Sequence, residues 1–561
     1  FSVQEQPLVL RALELQRRCS ADTPDLKAVE AADAVLILGE DVTNTAPRLA
    51  LALRQSVRNK AYAMAADLNL EHWQDGAIRN LAQNERSPLF ILAPGDTRLD
   101  DVAAGRRSIA PQAIADFGHA VAAALRDPGQ APKDQGDDTL VSEIATALRG
   151  AKRPLVVSGT GCFDGAVMDA AAAVAQALHE ANGQSLLTLV VPEANSLGVA
   201  MLAGPEAPDL QALRERAEAG DLDTLVILEN DLYRRAPAQQ VEQLLAAFAT
   251  VVVIDGMDNG TTSAAQLALP AASFLEAEGT LVSLEGRAQR HFPVFLPQQG
   301  RQPAWHWLLA LAKTRSVAAL GEITHFDQVV QACAAQRPAL EGITGAAPDH
   351  LYRSHGVKIP RQTQRYSGRT AMRADVSVHE PRQPADDETA LAYTMEGLNR
   401  DEPGALLPFV WSPGWNSNQS LHRFQEEVGG PIRGGSAGVC LLPSQKSGTL
   451  PAAPVGGTKE REQGEAGTDG QWLLVPRQRI FGSDELSALS PGVKELVRPG
   501  FVELCASDAQ QLGLAGGDGV EVGDGLATLE LRINDAIAAG CMGYSLGLAG
   551  CENLQPLAAV S

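Results

Sequence analysis

The chain has 561 residues, too many for one hydrophobic core, so about two to four domains are expected. Apolar residues make up 45% and aromatics only 4%, which excludes a disordered chain and points to cores of Ala, Leu and Val in closely packed helices and sheets. A net charge of −22, from 46 basic and 68 acidic residues, opposes binding to nucleic-acid phosphates or anionic lipid.

No run of about 18 uncharged apolar residues marks a membrane span, and no signal peptide is evident. The chain starts at Phe1 rather than Met, which suggests a processed or truncated product. The seven cysteines are Cys19, Cys162, Cys333, Cys440, Cys505, Cys541 and Cys551, with no C-x-x-C. Iron–sulfur and structural zinc sites need closely grouped thiolates. The pattern gives no metal site and suggests free thiols in a reducing compartment.

Residues 7–18 read as a helix, and 34–38 as a strand ending at Gly39. A polar loop with Glu40 and Asp41 follows, then a helix opened by Pro47, whose Leu49, Leu53 and Val57 share one face. Such a loop is either an ordinary βα turn or a phosphate-binding helix start. Residues 62–68 and 89–92 are expected strands, and Ile114, Phe117, Val121 and Leu125 mark an amphipathic helix. The polar stretch from Asp127 to Asp138 reads as a linker.

A second set of units starts at Pro154. The strand 155–157 leads to Gly159-x-Gly161, which looks like the start of a dinucleotide loop, but the third glycine position holds Asp164. A helix with Val167, Ala171, Val174 and Leu178 follows. Strands at 187–191 and 224–228 come next, the first leading to Asn195, and Val241, Leu244, Leu245 and Phe248 mark another helix. The alternation of strands and helices implies parallel sheets with right-handed crossovers.

The stretch 251–295 stands out. The strand Val251-Val252-Val253-Ile254 suits a parallel strand covered on both faces and precedes a polar turn, where α/β proteins place ligands. Glu278 and Glu285 fit either a catalytic carboxylate pair or a structural arrangement with Arg287 satisfying Glu278 or loop carbonyls. His291 reads as packed or surface.

Asp255, Thr261-Thr262, Leu269-Pro270, Glu278-Gly279-Thr280 and Glu285-Gly286-Arg287-Ala288-Gln289 together resemble the molybdopterin oxidoreductase superfamily. The stretches 366–381, 393–397 and 411–430, the last with Trp411-Ser412-Pro413-Gly414-Trp415, narrow the resemblance to the large, G-type subunit of bacterial NADH-quinone oxidoreductase, respiratory complex I. It runs from about 33 to about 547.

The resemblance implies an α/β fold of parallel-sheet βαβ domains plus a C-terminal β-barrel domain. It implies 2Fe-2S and 4Fe-4S clusters in an N-terminal part of the subunit outside this chain, and no cofactor within it. The superfamily's enzymes hold molybdenum between two pterin dinucleotides; the complex I subunit is regarded as having lost the metal. Carboxylates at Glu40 and Asp41 agree, since they repel a pyrophosphate. Gly39, Gly161 and Asn195 are candidates for a vestigial pterin site, with no catalytic residue and no metal ligand.

Trp305, Leu308, Leu309 and Ala312 form an expected core stripe. Arg353, Lys358, Arg361, Arg365, Arg369 and Arg373 make a basic run, either solvated or a contact surface. Residues 507–513 read as a capped short helix, and Leu529, Leu531 and Ile533 as the buried side of a strand. The expected division is a first α/β domain at 1–138, a second at 139–344, an irregular connection at 345–443, a flexible linker at 444–470 and the barrel at 471–561.

The leading expectation is a non-catalytic scaffold in the peripheral arm of a membrane-associated complex, on the cytoplasmic side of the bacterial inner membrane. Its partners would be the flavin/NADH-binding and cluster-bearing subunits, and electrons would pass from NADH and FMN to quinone through clusters elsewhere. The alternative is a catalytic molybdopterin-dinucleotide oxidoreductase of formate dehydrogenase type.

Overall fold

β1 (Ala34–Leu38) is a run of five apolar residues, every one buried, and it takes the centre of a five-stranded parallel sheet. The computed structural model describes residues 4–127, 137–314, 323–351, 393–394, 397–398, 438–443, 446–450, 471–523 and 525–560. The sheet order is β3 (Gly105–Ser108), β2 (Leu89–Ala93), β1, β4 (Pro154–Gly159), β5 (Leu186–Val190). It thus joins strands from both sides of residue 138.

Alternate residues of β1 serve opposite faces, as the period of a strand requires. Leu36 and Leu38 pack with Leu8, Leu13, Ile114, Val121, Ile144, Val167 and Val174. These come from α1 (Glu5–Arg18) and, further along, from the helices 111–126, 137–150 and 165–182. Val35 and Ile37 pack on the other side with Leu49, Leu53 and Val57, which lie in or just after α2 (Pro47–Ser56). Each face burying continuous apolar rows is what makes the strand read as uninterrupted Val/Leu/Ile.

The stretch 62–68, expected as a strand, is instead part of α3 (Asn59–Asp67). Four alanines with Lys60 and Met64, and no β-branched residue, favour a helix there. β3 escapes the hydrophobic pattern because its sequence is Gly-Arg-Arg-Ser at a sheet edge.

A second parallel sheet holds β6 (Thr224–Leu228), β7 (Thr250–Asp255) and β8 (Leu267–Pro270). Val251 and Val253 of β7 pack with Val241, Leu244 and Phe248, and Val252 and Ile254 pack with Ala271 and Ala304. The strand is covered on both faces, as expected. β9 (Gly279–Val282) and β10 (Arg287–His291) form an antiparallel hairpin. Gly286 turns it at φ +75°, and a Cβ there would lie 2.4 Å from Leu442 Cγ, so only glycine fits. Beyond a two-residue ladder of β11 (Tyr393–Thr394) and β12 (Gly397–Leu398), β13 (Val439–Cys440) pairs with β10.

The helix Ala304–Thr314 does not carry a core stripe: Leu308 is 38% exposed, and only Ala304 is buried. Trp307 rather than Trp305 packs toward β7, and its indole N–H donates to the Pro270 carbonyl.

Strands β14 (Trp472–Arg477), β15 (Phe501–Leu504), β16 (Gly519–Val522), β17 (Ala527–Ile533), β18 (Cys541–Ser545) and β19 (Ala559–Val560) form one mixed sheet in the order β16-β17-β15-β18-β14-β19. It curls into a half-barrel, so that Val522 on one edge strand and Val560 on the other share a core with Leu474, Val502, Leu531 and Tyr544. Leu529 and Leu531 face that core, but Ile533, at the end of β17, is 40% exposed. The helix expected at 507–513 starts at Ala506 and ends at Leu512, with no side-chain cap. Asp535 Oδ1 accepts the Ala506 N–H instead, and Asp508 turns inward to accept from Trp472 Nε1 and Gly540 N.

Among the described residues no helix is long and apolar enough to cross a membrane. The basic run at Arg353–Arg373, the stretches 366–381 and 411–430, and most of 444–470 lie outside the described residues.

Candidate functional site

The carboxyl edge of the five-stranded sheet is where a doubly wound fold presents ligand-binding loops. Gly39 leaves β1 at φ +72°, and a Cβ there would come within 2.8 Å of Val167 Cγ1 and 2.9 Å of Cys162 Sγ. The tight turn sends Glu40 inward, where it is only 1% exposed. Its Oε2 accepts the backbone N–H of Gly161 at 3.0 Å. A Cβ on Gly161 would lie 2.7 and 2.8 Å from the two carboxylate oxygens. The Glu40 carboxylate thus sits against the Gly159-x-Gly161 turn, where a phosphate would lie in a dinucleotide loop.

The helix after that turn is closed in the same way. Asp164 caps Gly165–Asn182, its Oδ1 accepting the Ala166 N–H at 2.9 Å. Cys162 is buried, and its thiol donates to the Gly39 carbonyl at 2.9 Å. Burial raises the Cys162 pKa well above its ordinary value, with Glu40 adding to the effect. Burial thus favours the neutral thiol there. Burial also raises the Glu40 pKa to about 7, with the Gly161 N–H pulling the other way.

The C-terminal half-barrel closes the edge. Arg477, with a side chain 6% exposed, donates through Nη2 to the carbonyl and the Oδ1 of Asp96, both at 2.8 Å. Ile480 N donates to Asn44 Oδ1, Ala538 N to the Pro94 carbonyl and Ser108 Oγ to the Ala536 carbonyl. The loops after β1, β2 and β3 are therefore all tied to the last sheet. Between Gly39, Glu40, Thr45, Gly161, Val475 and Arg477 a cavity of about 20 Å³ remains. That holds about one water molecule. A pterin dinucleotide, with its own phosphates, does not fit this space beside a buried carboxylate.

Gly39 and Gly161 are thus brought together, through Glu40. Asn195 does not line that cavity. Its Oδ1 accepts the Val282 N–H at 2.8 Å and ties β5's loop to the β9–β10 hairpin. In that hairpin the expected role of Arg287 changes hands. Arg287 pairs with Glu285 at 2.8 Å, while Glu278 pairs with Arg290 at 2.6 Å. The Arg290 side chain is 6% exposed, lies over Phe292 and Phe326, and also pairs with Asp327. The two glutamates are held in separate ion pairs rather than facing each other as an acid–base couple. His291 is half-buried, and burial lowers its pKa.

Sequence reasoning passes over Arg477, Arg290 and Asp327. Arg477 ends a largely apolar, mostly buried strand, where a charge needs a partner, and that is its one available signal.

Residues 114–314 match the family model described as molybdopterin oxidoreductase. The chain is 43% identical over 551 residues to the G-type subunit of NADH-quinone oxidoreductase from Pseudomonas putida, covering 96% of this chain and 60% of that protein. It is 40% identical over 563 residues to the corresponding subunit of NADH-quinone oxidoreductase from Salmonella typhimurium, covering 97% of this chain and 60% of that protein. The chain therefore spans about 60% of the length of these relatives. Among solved structures, acetylene hydratase from Pelobacter acetylenicus matches with a TM-score of 0.53 and 12% identity, over 97% of this chain and 74% of that one. At that identity the likeness is one of fold.

Proposed function

We propose that this chain, similar to the G-type subunit of NADH-quinone oxidoreductase and bearing a molybdopterin oxidoreductase region, is a non-catalytic scaffold within the peripheral arm of that complex. The parent subunit carries electrons from NADH and FMN toward quinone over 2Fe-2S and 4Fe-4S clusters held outside these residues. The present region packs against the flavin-binding and cluster-bearing subunits on the cytoplasmic side of the membrane. Its half-barrel is the counterpart of the barrel that closes the cofactor site in molybdopterin enzymes, serving here as a cap.

The observation that carries this reading is the Glu40 carboxylate on the Gly161 turn. The chain's own side chain fills the turn where an external phosphate would sit, and as Glu40 ionises above about pH 7 its charge adds to that exclusion. Cys162 supports the same view, since its buried thiol is already engaged by the Gly39 carbonyl.

Metal analysis and nucleotide binding test the proposal. Purified complex should contain no molybdenum attributable to this chain, and guanine nucleotides should show no saturable binding. Stoichiometric molybdenum, or a guanine dinucleotide bound beside Gly39 and Gly161, overturns it in favour of a working oxidoreductase.

A further inference from the structure

Outside the sheet edge, His325, Asp327 and His350 converge, with their ligating atoms all within 4.8 Å of one another. His325 immediately precedes the helix Phe326–Gln336, Asp327 is that helix's second residue, and His350 lies beyond the following 3₁₀ segment Pro338–Gly345. His350 Nδ1 is 2.5 Å and His325 Nδ1 3.7 Å from the same oxygen, Asp327 Oδ2. The two rings are 4.2 Å apart and tilted by 41°.

Asp327 divides its oxygens. Oδ1 pairs with Arg290, and Oδ2 faces the two imidazoles. The arginine does not make the position positive, because Arg290 is also paired with Glu278, leaving one net negative charge on the three groups. Arg290 instead orients the carboxylate from behind, as outer-shell partners of metal ligands do. Asp327 and Asp349 also line a cavity of about 60 Å³, room for a few waters.

We propose that His325, Asp327 and His350 form a binding site for a divalent transition-metal ion of the zinc class, which pins the start of the helix Phe326–Gln336 to the segment at His350. Two imidazoles and one carboxylate oxygen are a donor set that zinc accepts, with water completing the shell. Bonds of about 2.0–2.2 Å place neighbouring donors about 3.3 Å apart. The 3.7 Å separation is near that already, and the 2.5 Å hydrogen bond opens as the ion replaces its proton. Metal and protons compete for the same donor atoms, so binding releases protons and weakens in acid. The site is independent of the scaffold reading, since it lies on other residues and needs no pterin.

The test uses the full chain with Cys440→Ser in every sample, so that the exposed thiol does not bind metal. Calorimetry with Zn²⁺ and absorption with Co²⁺ should show one ion per chain. His325→Ala and His350→Ala should each weaken it about tenfold or more, while His306→Ala, outside the cluster, should leave it unchanged. The two imidazoles are 37% and 47% exposed, so their removal should spare the fold, checked by circular dichroism. Absence of one-to-one binding in the His-intact chain overturns the proposal whatever the variants do. Equal binding by the His325→Ala/His350→Ala double variant overturns it too, as adventitious metal only.

Discussion

The backbone N–H of Gly161 donates to Glu40 Oε2 across 121 residues of sequence, joining the loops of two neighbouring parallel strands. The bond places an ionisable group in a cavity with room for about one water molecule, and this sets a pH dependence.

The Glu40 pKa is about 7 in the folded chain against an ordinary 4.5. Below pH 4.5 both states are protonated and the group is neutral to stability. Between the two values the unfolded chain ionises while the folded one keeps its proton, so stability falls as pH rises, and above pH 7 the penalty is constant. Glu40→Gln lacks this penalty. Its stability relative to the parent should rise across that window by up to about 3 kcal/mol, read by urea unfolding. A gap that does not change with pH contradicts this.

Gly161→Ala puts a methyl within 2.8 Å of both Glu40 oxygens, and the buried carboxylate has little room to retreat. The expected cost is about 1–3 kcal/mol. In the Glu40→Ala background the cost should shrink, and a double-mutant cycle measures that coupling. Additive effects would show that the two residues do not touch.

Asn195→Ala leaves the Val282 N–H without its acceptor. A lost partner for a part-buried donor costs about 1–3 kcal/mol. Amide exchange at Val282 should quicken while exchange in β1 stays as it was.

Arg477→Ala removes a cation that serves Asp96 at 2.8 Å and Glu503 at 3.6 Å. Glu503 is 7% exposed and would keep only Arg479 and Asn534. Breaking a buried pair from one side costs about 3–5 kcal/mol. The loss should appear as earlier thermal unfolding of the half-barrel, followed through Trp472 fluorescence.

The parallel strands are legible in the sequence because burial on both faces leaves apolar runs such as Val251-Val252-Val253-Ile254. Where packing does not write itself into the pattern, the sequence misleads or is silent. The helix 59–67 buries only Ala65, so it carries no apolar stripe of helical period, and the Gly-Arg-Arg-Ser edge strand carries no signal. The carboxylates after β1 are legible as hostile to phosphate. That Glu40 itself occupies the turn at Gly161 depends on β1 and β4 being neighbours, a fact of topology. Arg290 with Asp327, and His325 with His350, are contacts between separate segments, which spacing along the chain does not report.

The strand order also governs how the chain can be divided. β1 is zipped to β2 on one side and to β4 on the other, and β4 begins only at Pro154. A fragment ending at residue 138 would retain β1 with one flank of amides and carbonyls bare, beside five apolar side chains. Such a flank invites a second copy to add its own strand. Expressed alone, that piece should self-associate, whereas extension past β5 at Val190 should restore a monodisperse particle.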